Sequence, residues 1–119
     1  MIKSKKLSRI KDLKHGFFNR IGGKSKDIYK SLNCGPGSKD NKLNIKKNLQ
    51  IVKKKISKKA KDIFLLHQFH SNKFIYIDDK YNKKKKPKAD AVITNQKHLP
   101  IAVLTADCAP ILIYDKNKE

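Results

Sequence analysis

Ile63-Phe64-Leu65-Leu66-His67-Gln68-Phe69-His70-Ser71 is the stretch whose reading decides the fold. Its first four residues form a continuous apolar run, too short for a helix and suited to a strand covered on both faces. Runs of the same character follow at Phe74-Ile75-Tyr76-Ile77, Ala91-Val92-Ile93-Thr94, Ile101-Ala102-Val103-Leu104-Thr105 and Ile111-Leu112-Ile113-Tyr114. Between the first two of these, Ser71-Asn72 reads as a tight connection, which predicts that they pair as a hairpin. The lysine tract from Lys83 to Lys86 predicts an exposed, mobile loop before the third.

Upstream the pattern changes. His15-Gly16-Phe17-Phe18 suits a short early strand, and Ile21-Gly22-Gly23 a turn where glycine opens backbone angles closed to other residues. Asn33-Cys34-Gly35-Pro36-Gly37-Ser38 is dense in turn formers, after which Asp40 or Asn41 can cap a helix. Ile45, Leu49, Val52 and Ile56 recur at intervals of four, three and four, placing them on one helical stripe whose other faces carry lysine. Such a helix is expected to cover a sheet. Five or six strands and one clear helix predict an α+β fold, a layered mixed β-sheet with covering helices, in a single domain over residues 1–119. There is no internal repeat, heptad pattern, P-loop or G-x-G-x-x-G fingerprint in the sequence.

Composition narrows the function classes. The chain has 119 residues, 38% of them hydrophobic and 34% charged, which allows a modest core. Thirty basic against ten acidic side chains give a formal charge of +20, first suggesting nucleic acid or an anionic membrane. Only Arg9 and Arg20 are arginines, however, and lysine is spread along the whole chain. Readers of nucleic-acid sequence favour the two-pronged arginine fork, so a general lysine bias is the better account, and no specific nucleic acid is expected. Two cysteines cannot build a secreted disulfide framework, and the basic start, Met1 to Lys14, lacks a signal-like apolar run. No stretch approaches the roughly 20 apolar residues of a membrane helix. A soluble protein of the cytoplasm, without membrane contact, is expected; the sequence leaves its oligomeric state open.

His70 and Cys108 each lie at the end of a predicted buried strand, where a sheet can fix side chains while leaving them open to a ligand. An imidazole and a thiolate suit zinc or a softer metal. The same two groups could act as base and nucleophile, or be a turn histidine and a small core thiol; spacing alone leaves all three readings open. His67 and His70 stand three apart, which on a strand puts them on opposite sides, so His67 is expected to be structural. His98, next to Leu99-Pro100, is expected in an exposed turn. Asp107 is a candidate acid, base or supporting carboxylate, or a group satisfied by backbone donors. Arg20 precedes Gly22-Gly23, whose open backbone could admit an anion, and is otherwise a surface arginine. Cys34 reads as a loop or packing thiol.

Together these segments resemble the laccase-domain family, also named polyphenol oxidase, purine nucleoside phosphorylase or peptidoglycan editing factor. His15-Gly16-Phe17-Phe18-Asn19-Arg20-Ile21-Gly22-Gly23 is similar to the family's opening H-G-F-F-T-R-x-G-G-V-S, and Tyr29-Lys30-Ser31-Leu32-Asn33-Cys34-Gly35 to its Y-x-S-L-N-x-G. Gln68-Phe69-His70-Ser71 resembles Q-V-H-S/G, Ala89-Asp90-Ala91-Val92-Ile93-Thr94 resembles A-D-A followed by two hydrophobic residues and Thr, and Thr105-Ala106-Asp107-Cys108-Ala109-Pro110-Ile111 the A-D-C-x-P signature. Order and spacing agree from His15 to Asp115. Lys24, Asp27 and Leu49 depart from the valine, glycine and arginine usual at those places.

The resemblance implies a zinc ion, copper in older naming, held by one cysteine and two histidines, of which His70 and Cys108 map here. The third belongs to a later H-A-G-W-R-G motif, so the chain is expected to be a front portion that stops before its metal site is complete, with reduced or no activity. It implies phosphorolysis of purine nucleosides with phosphate and deamination of adenosine, the latter by a zinc-activated water. His70, Cys108 and Asp107 are then the expected catalytic residues, and Arg20, Asn33 and Gln68 the substrate-binding ones. Two rivals stand beside this reading: a lysine-rich module that coats nucleic acid, and a cysteine hydrolase acting on peptidoglycan precursors.

Overall fold

The one long helix starts where a side chain satisfies its free amides. In the computed structural model, which describes residues 1–118, Asn41 Oδ1 accepts from the N–H groups of Leu43 at 2.9 Å and Asn44 at 3.3 Å. Of the two expected caps, Asn41 is therefore the one used, and helix α1 runs Lys42–Ile56. Lys53, Lys54 and Lys55 stand in its last turn, where the exposed carbonyl ends favour cations. On the expected stripe Ile45 is buried, and Leu49, Val52 and Ile56 are half-buried.

The most deeply buried side chain of α1 is polar. Asn48 is 0% exposed. Its Oδ1 accepts from the Lys24 N–H at 2.7 Å, and its Nδ2 donates to Ser25 Oγ at 2.9 Å, the Asn33 carbonyl at 2.7 Å and the Ser31 carbonyl at 3.2 Å. A buried amide is costly unless bonded, and here it ties two loop segments to the helix. Asp40 adds to the brace by accepting from Ser25 Oγ and from Asn33 Nδ2. The Ser25 hydroxyl is the chief cause holding the Asp40 carboxyl below the usual carboxylate range.

Gly22 and Gly23 both donate their N–H groups to Ser31 Oγ, at 3.0 and 3.1 Å, while Ser31 and Leu32 donate to the Arg20 carbonyl at 2.9 and 2.8 Å. Gly22 has φ +96°, and a Cβ at Gly23 would strike the Ser31 carbonyl oxygen. The double glycine thus serves a close backbone approach, and its amides, which could have admitted an anion, face Ser31 instead. The early strand at His15 to Phe18 shrinks to a single bridge, in which Ile2 and Phe17 exchange two 2.8 Å hydrogen bonds. His15 is buried, its Nε2 accepting from the Ser4 N–H at 2.8 Å. All of this belongs to one unit, Met1 to Ala60.

The second unit begins at Lys61. Its strands are β1 (Phe64–Leu65), β2 (Phe74–Ile77), β3 (Ala91–Thr94) and β4 (Ile101–Ala102). Both pairings are parallel: Phe64 stands opposite Ile101 and Leu65 opposite Ala102, while Phe74 to Ile77 stand opposite Ala91 to Thr94. The expected hairpin is therefore wrong, because the chain does not reverse at Ser71-Asn72. His67 pairs with Lys88 in a parallel bridge, and Ala89 donates to the His67 carbonyl at 3.2 Å. Farther along, Ala91 donates to the Lys73 carbonyl at 3.2 Å. Between Ala89 and Ala91 the chain bends at Asp90, its N–H meeting the same Lys73 carbonyl at 3.0 Å, and β3 starts at Ala91. Seven residue steps from His67 to Phe74 therefore face only three from Lys88 to Ala91, and four residues loop out between them.

Phe64, Leu66, Ile77, Ala89 and Leu99 form the core of this unit, with Tyr81 edge-on to Phe64 at a ring separation of 6.1 Å. Parallel strands cannot be joined by a tight turn. The return from β2 to β3 accordingly runs through the lysine tract, which is exposed as expected. The run Ile111 to Tyr114 departs from expectation: it forms no strand among the described residues, and Ile111 and Ile113 are 76% and 89% exposed. Its apolar pattern is strand-like, but a strand needs a partner edge and none of β1 to β4 supplies one. The α+β class holds, with the strands in two parallel two-stranded sheets.

Replacing Asn48 by Ala strands four backbone and side-chain partners in a buried place. Urea unfolding of Asn48→Ala is expected to show a loss of about 1–3 kcal/mol; a variant as stable as the parent would mean the brace is idle.

Candidate metal centre

Parallel pairing makes β1 and β4 finish at the same end. The chain leaving β1 carries Gln68 and His70, and the chain leaving β4 carries Leu104, Asp107 and Cys108. Gln68 joins the two departures: its Nε2 donates to the Leu104 carbonyl at 2.9 Å, and the Leu104 N–H donates to its Oε1 at 2.8 Å. The half-buried side-chain amide thus makes the two bonds that a neighbouring strand's backbone would make, extending the pair past the last ladder residues.

Asp90 shapes the looped-out residues. Its Oδ1 accepts from the N–H groups of His70 at 2.9 Å and Phe69 at 3.2 Å, and its Oδ2 from the Ser71 N–H at 2.8 Å and Ser71 Oγ at 2.7 Å. Three successive amides form a concave anion site that the chain's own carboxylate fills. The Ser71 hydroxyl first, and the amides after it, hold the Asp90 carboxyl down at about 2 against its partial desolvation. Within this cradle His70 has φ +62°, a left-handed conformation unusual for a residue with a bulky side chain. Asp107 has φ +73°, so a left-handed residue stands on each departing segment, and His70, Asp107 and Cys108 are all exposed.

The two cysteines differ. Burial pushes the Cys34 thiol up to about 11, which keeps it protonated and unreactive near neutrality. Cys108 lies exposed. Arg20 and Asn33 belong to the first unit. Arg20 is exposed with its carbonyl fixed by Ser31 and Leu32, as above. Asn33 commits its amide to its own loop, donating to Ser38 Oγ at 2.9 Å and Asp40 Oδ2 at 3.0 Å and accepting from the Gly35 N–H at 3.0 Å. His67 is engaged in backbone pairing with its ring exposed, and His98 is an exposed residue at φ +61°.

An imidazole and a thiol, exposed on two segments that one side chain clasps together, fit zinc as two of its protein ligands. Among the described residues no group of three or more His, Cys, Asp or Glu lies placed to hold a metal.

Residues 14–119 match the family model described as multi-copper polyphenol oxidoreductase laccase. The chain belongs to that family. It is 32% identical to a purine nucleoside phosphorylase of Streptomyces coelicolor, over 84% of this chain and 41% of the relative. A purine nucleoside phosphorylase of Bacteroides thetaiotaomicron is 28% identical over 98% of this chain and 46% of its own length. The laccase-family chain thus spans under half the length of these curated relatives. Among solved structures it is similar to Neisseria meningitidis protein NMB0706, described by the family model DUF152, with TM-score 0.61 and 31% identity over 75% of this chain and 35% of that one. Among the described residues no helix is long and apolar enough to cross a membrane.

Asn48, Gln68 as a clasp and Asp90 as a cradle are what residue patterns missed. The Q-F-H-S and A-D-A segments contain Gln68 and Asp90, but nothing in them tells that both side chains bind backbone. Gln68→Ala removes two hydrogen bonds and is expected to cost about 1–3 kcal/mol in urea unfolding; no change would show that the clasp contributes nothing. Alkylation separates the thiols. At pH 8 a group near 11 is thiolate in about one molecule in a thousand, so iodoacetamide should label Cys108 alone. Cys34 should react only as pH approaches 11 or after unfolding, and rapid double labelling at pH 8 would contradict its burial.

Proposed function

We propose that this chain is part of a cytoplasmic, zinc-dependent purine nucleoside phosphorylase that also deaminates adenosine, its two units belonging to one domain. The observation that supports the reading most directly is the Gln68 clasp on Leu104, which draws together the segments bearing His70 and Cys108. In this reading His70 and Cys108 hold the zinc, and the remaining ligand comes from outside these residues. When bound, the ion supplies a Lewis acid and an activated water at the purine. Asp107 stands next to Cys108 as a carboxylate able to accept or return a proton at its Oδ atoms. Arg20, whose backbone is pinned by Ser31, offers its guanidinium to phosphate, the planar fork matching two phosphate oxygens. Asn33 and Gln68, the other expected substrate-binding residues, each fix loops of their own unit through side-chain hydrogen bonds. The names of the relatives support the reaction class, and the imidazole and thiol donors support zinc over a metal that prefers oxygen.

Zinc titration of the purified chain against a chromophoric chelator tests the ligand assignment. His70→Ala and Cys108→Ser are each expected to weaken zinc at least about tenfold, and the double variant to bind more weakly than either, because each removes one donor from the same ion. His67→Ala and His98→Ala should bind as the parent does. Equal losses at His67, or none at His70 and Cys108, would sink the assignment.

A further inference from the structure

Four residues are looped out between the His67 bridge and β2, and among the described residues the carboxylate bound to their amides is Asp90. We infer that Asp90 is the positioning residue for the proposed ligand His70: it sets the direction of the imidazole through the backbone, without touching the ring. The inference rests on the reading of His70 as a ligand. The argument starts from the register. A parallel pair continuing from His67–Lys88 would keep His70 in the ladder with extended angles, its ring perpendicular to the strand. Looping out frees the N–H groups of Phe69, His70 and Ser71; the first two are exposed and could turn to water, the Ser71 contact is part-buried, and all three are taken by Asp90.

Asp90 supplies that acceptor from a fixed place. Its own N–H donates to the Lys73 carbonyl at 3.0 Å, and the next residue opens β3, so its backbone is anchored by the sheet it begins. The neighbouring Ala89 is 0% exposed in the core. From this anchor the carboxylate reaches three amides in a row, and those three directions together leave His70 the left-handed conformation at φ +62°. A single amide contact would permit the peptide planes to rotate, whereas three fix two consecutive planes and with them the Cα–Cβ direction of His70. Ser71 Oγ, at 2.7 Å from the same carboxylate, closes the cradle on its far side. The chemistry calls for a carboxylate: it accepts at both oxygens, while an amide of the same shape would turn donor hydrogens toward the Ser71 donors.

The test uses the full chain and cobalt(II) as a spectroscopic stand-in for zinc. Parent, Asp90→Asn, Ser71→Ala and His70→Ala are titrated with cobalt, following the thiolate-to-cobalt charge-transfer band for Cys108 and the visible ligand-field bands for the rest of the shell. Hydrogen exchange at Phe69, His70 and Ser71 is followed in parallel, and circular dichroism checks the fold. Asp90→Asn is expected to weaken cobalt about tenfold or more, as loss of an outer partner of a ligand does, and to move the ligand-field bands to those of His70→Ala while the thiolate band persists. Exchange at the three amides should quicken. Ser71→Ala should move both readouts the same way by less, and it carries the test if Asp90→Asn does not fold. Parent-like bands and affinity in folded Asp90→Asn, or in Ser71→Ala where only that variant folds, would overturn the positioning role while leaving His70 as a ligand. If His70→Ala itself leaves the spectrum unchanged, the ligand reading falls and this inference falls with it.

Discussion

Two strands running the same way are the constraint from which the candidate site follows. β1 and β4 are separated by more than thirty residues in sequence and pair in parallel, so the chain leaves both at one end. In open parallel sheets that end is where ligands are held, because departing loops converge there on a rigid base. An antiparallel partner for β1 would have sent His70 into a reversing turn and left Cys108 unrelated to it. The direction of pairing thus decides whether the two donors can belong to one site, and Gln68 extends that decision beyond the ladder by offering Leu104 a side chain in place of a strand.

Strands this short leave much backbone unpaired, and both units answer with the same device. In the first unit Asn48 reaches from α1 to four loop partners; in the second Asp90 reaches from the start of β3 to three amides. Each is a polar side chain on a regular element, or on the residue just before one, satisfying an irregular segment. The energetics explain why the device tolerates strain. A left-handed non-glycine residue costs roughly 1–2 kcal/mol, and the array of hydrogen bonds to the Asp90 carboxylate opposes that cost at His70. The departing segment on the other side, with Asp107 at φ +73°, carries its left-handed residue immediately before Cys108.

How much of this was legible in the residues follows from what each signal encodes. Phe74 to Ile77 and Ala91 to Thr94 are strands at the bounds that the apolar runs suggested, and the helix begins at one of the two polar residues that stood ready to cap it. Apolar runs report burial and extension but carry no direction, so the hairpin expected from Ser71-Asn72 had no counterweight in the pattern. A turn of the hairpin-forming kind usually carries Asn-Gly or Gly at its centre, and Ser71-Asn72 has no glycine. Ile111 to Tyr114 shows the complementary failure: the run has strand composition, yet a strand is a property of two segments. Asn48 stayed hidden because a helical stripe is counted in apolar residues, and one amide within it looks like a surface position. The expected pairing of His70 with Cys108 came from the resemblance in motif order, since strand-end placement by itself favoured a structural thiol and a turn histidine.

The charge of the chain sharpens the role of its few carboxylates. With 30 basic side chains and 10 acidic ones, any carboxylate has abundant cations to meet, and simple attraction would place each beside a lysine. Asp40 and Asp90 instead take hydroxyl and amide donors in fixed directions, and it is chiefly these bonds that lower their carboxyl groups. A lysine contact is long, mobile and screened by salt, worth little at a surface. An array of backbone donors is short and directional, and it transmits the position of one element to the next. In a chain so rich in diffuse positive charge, geometric precision has to come from groups that charge alone does not organise, and these two aspartates provide it where the loops most need a shape.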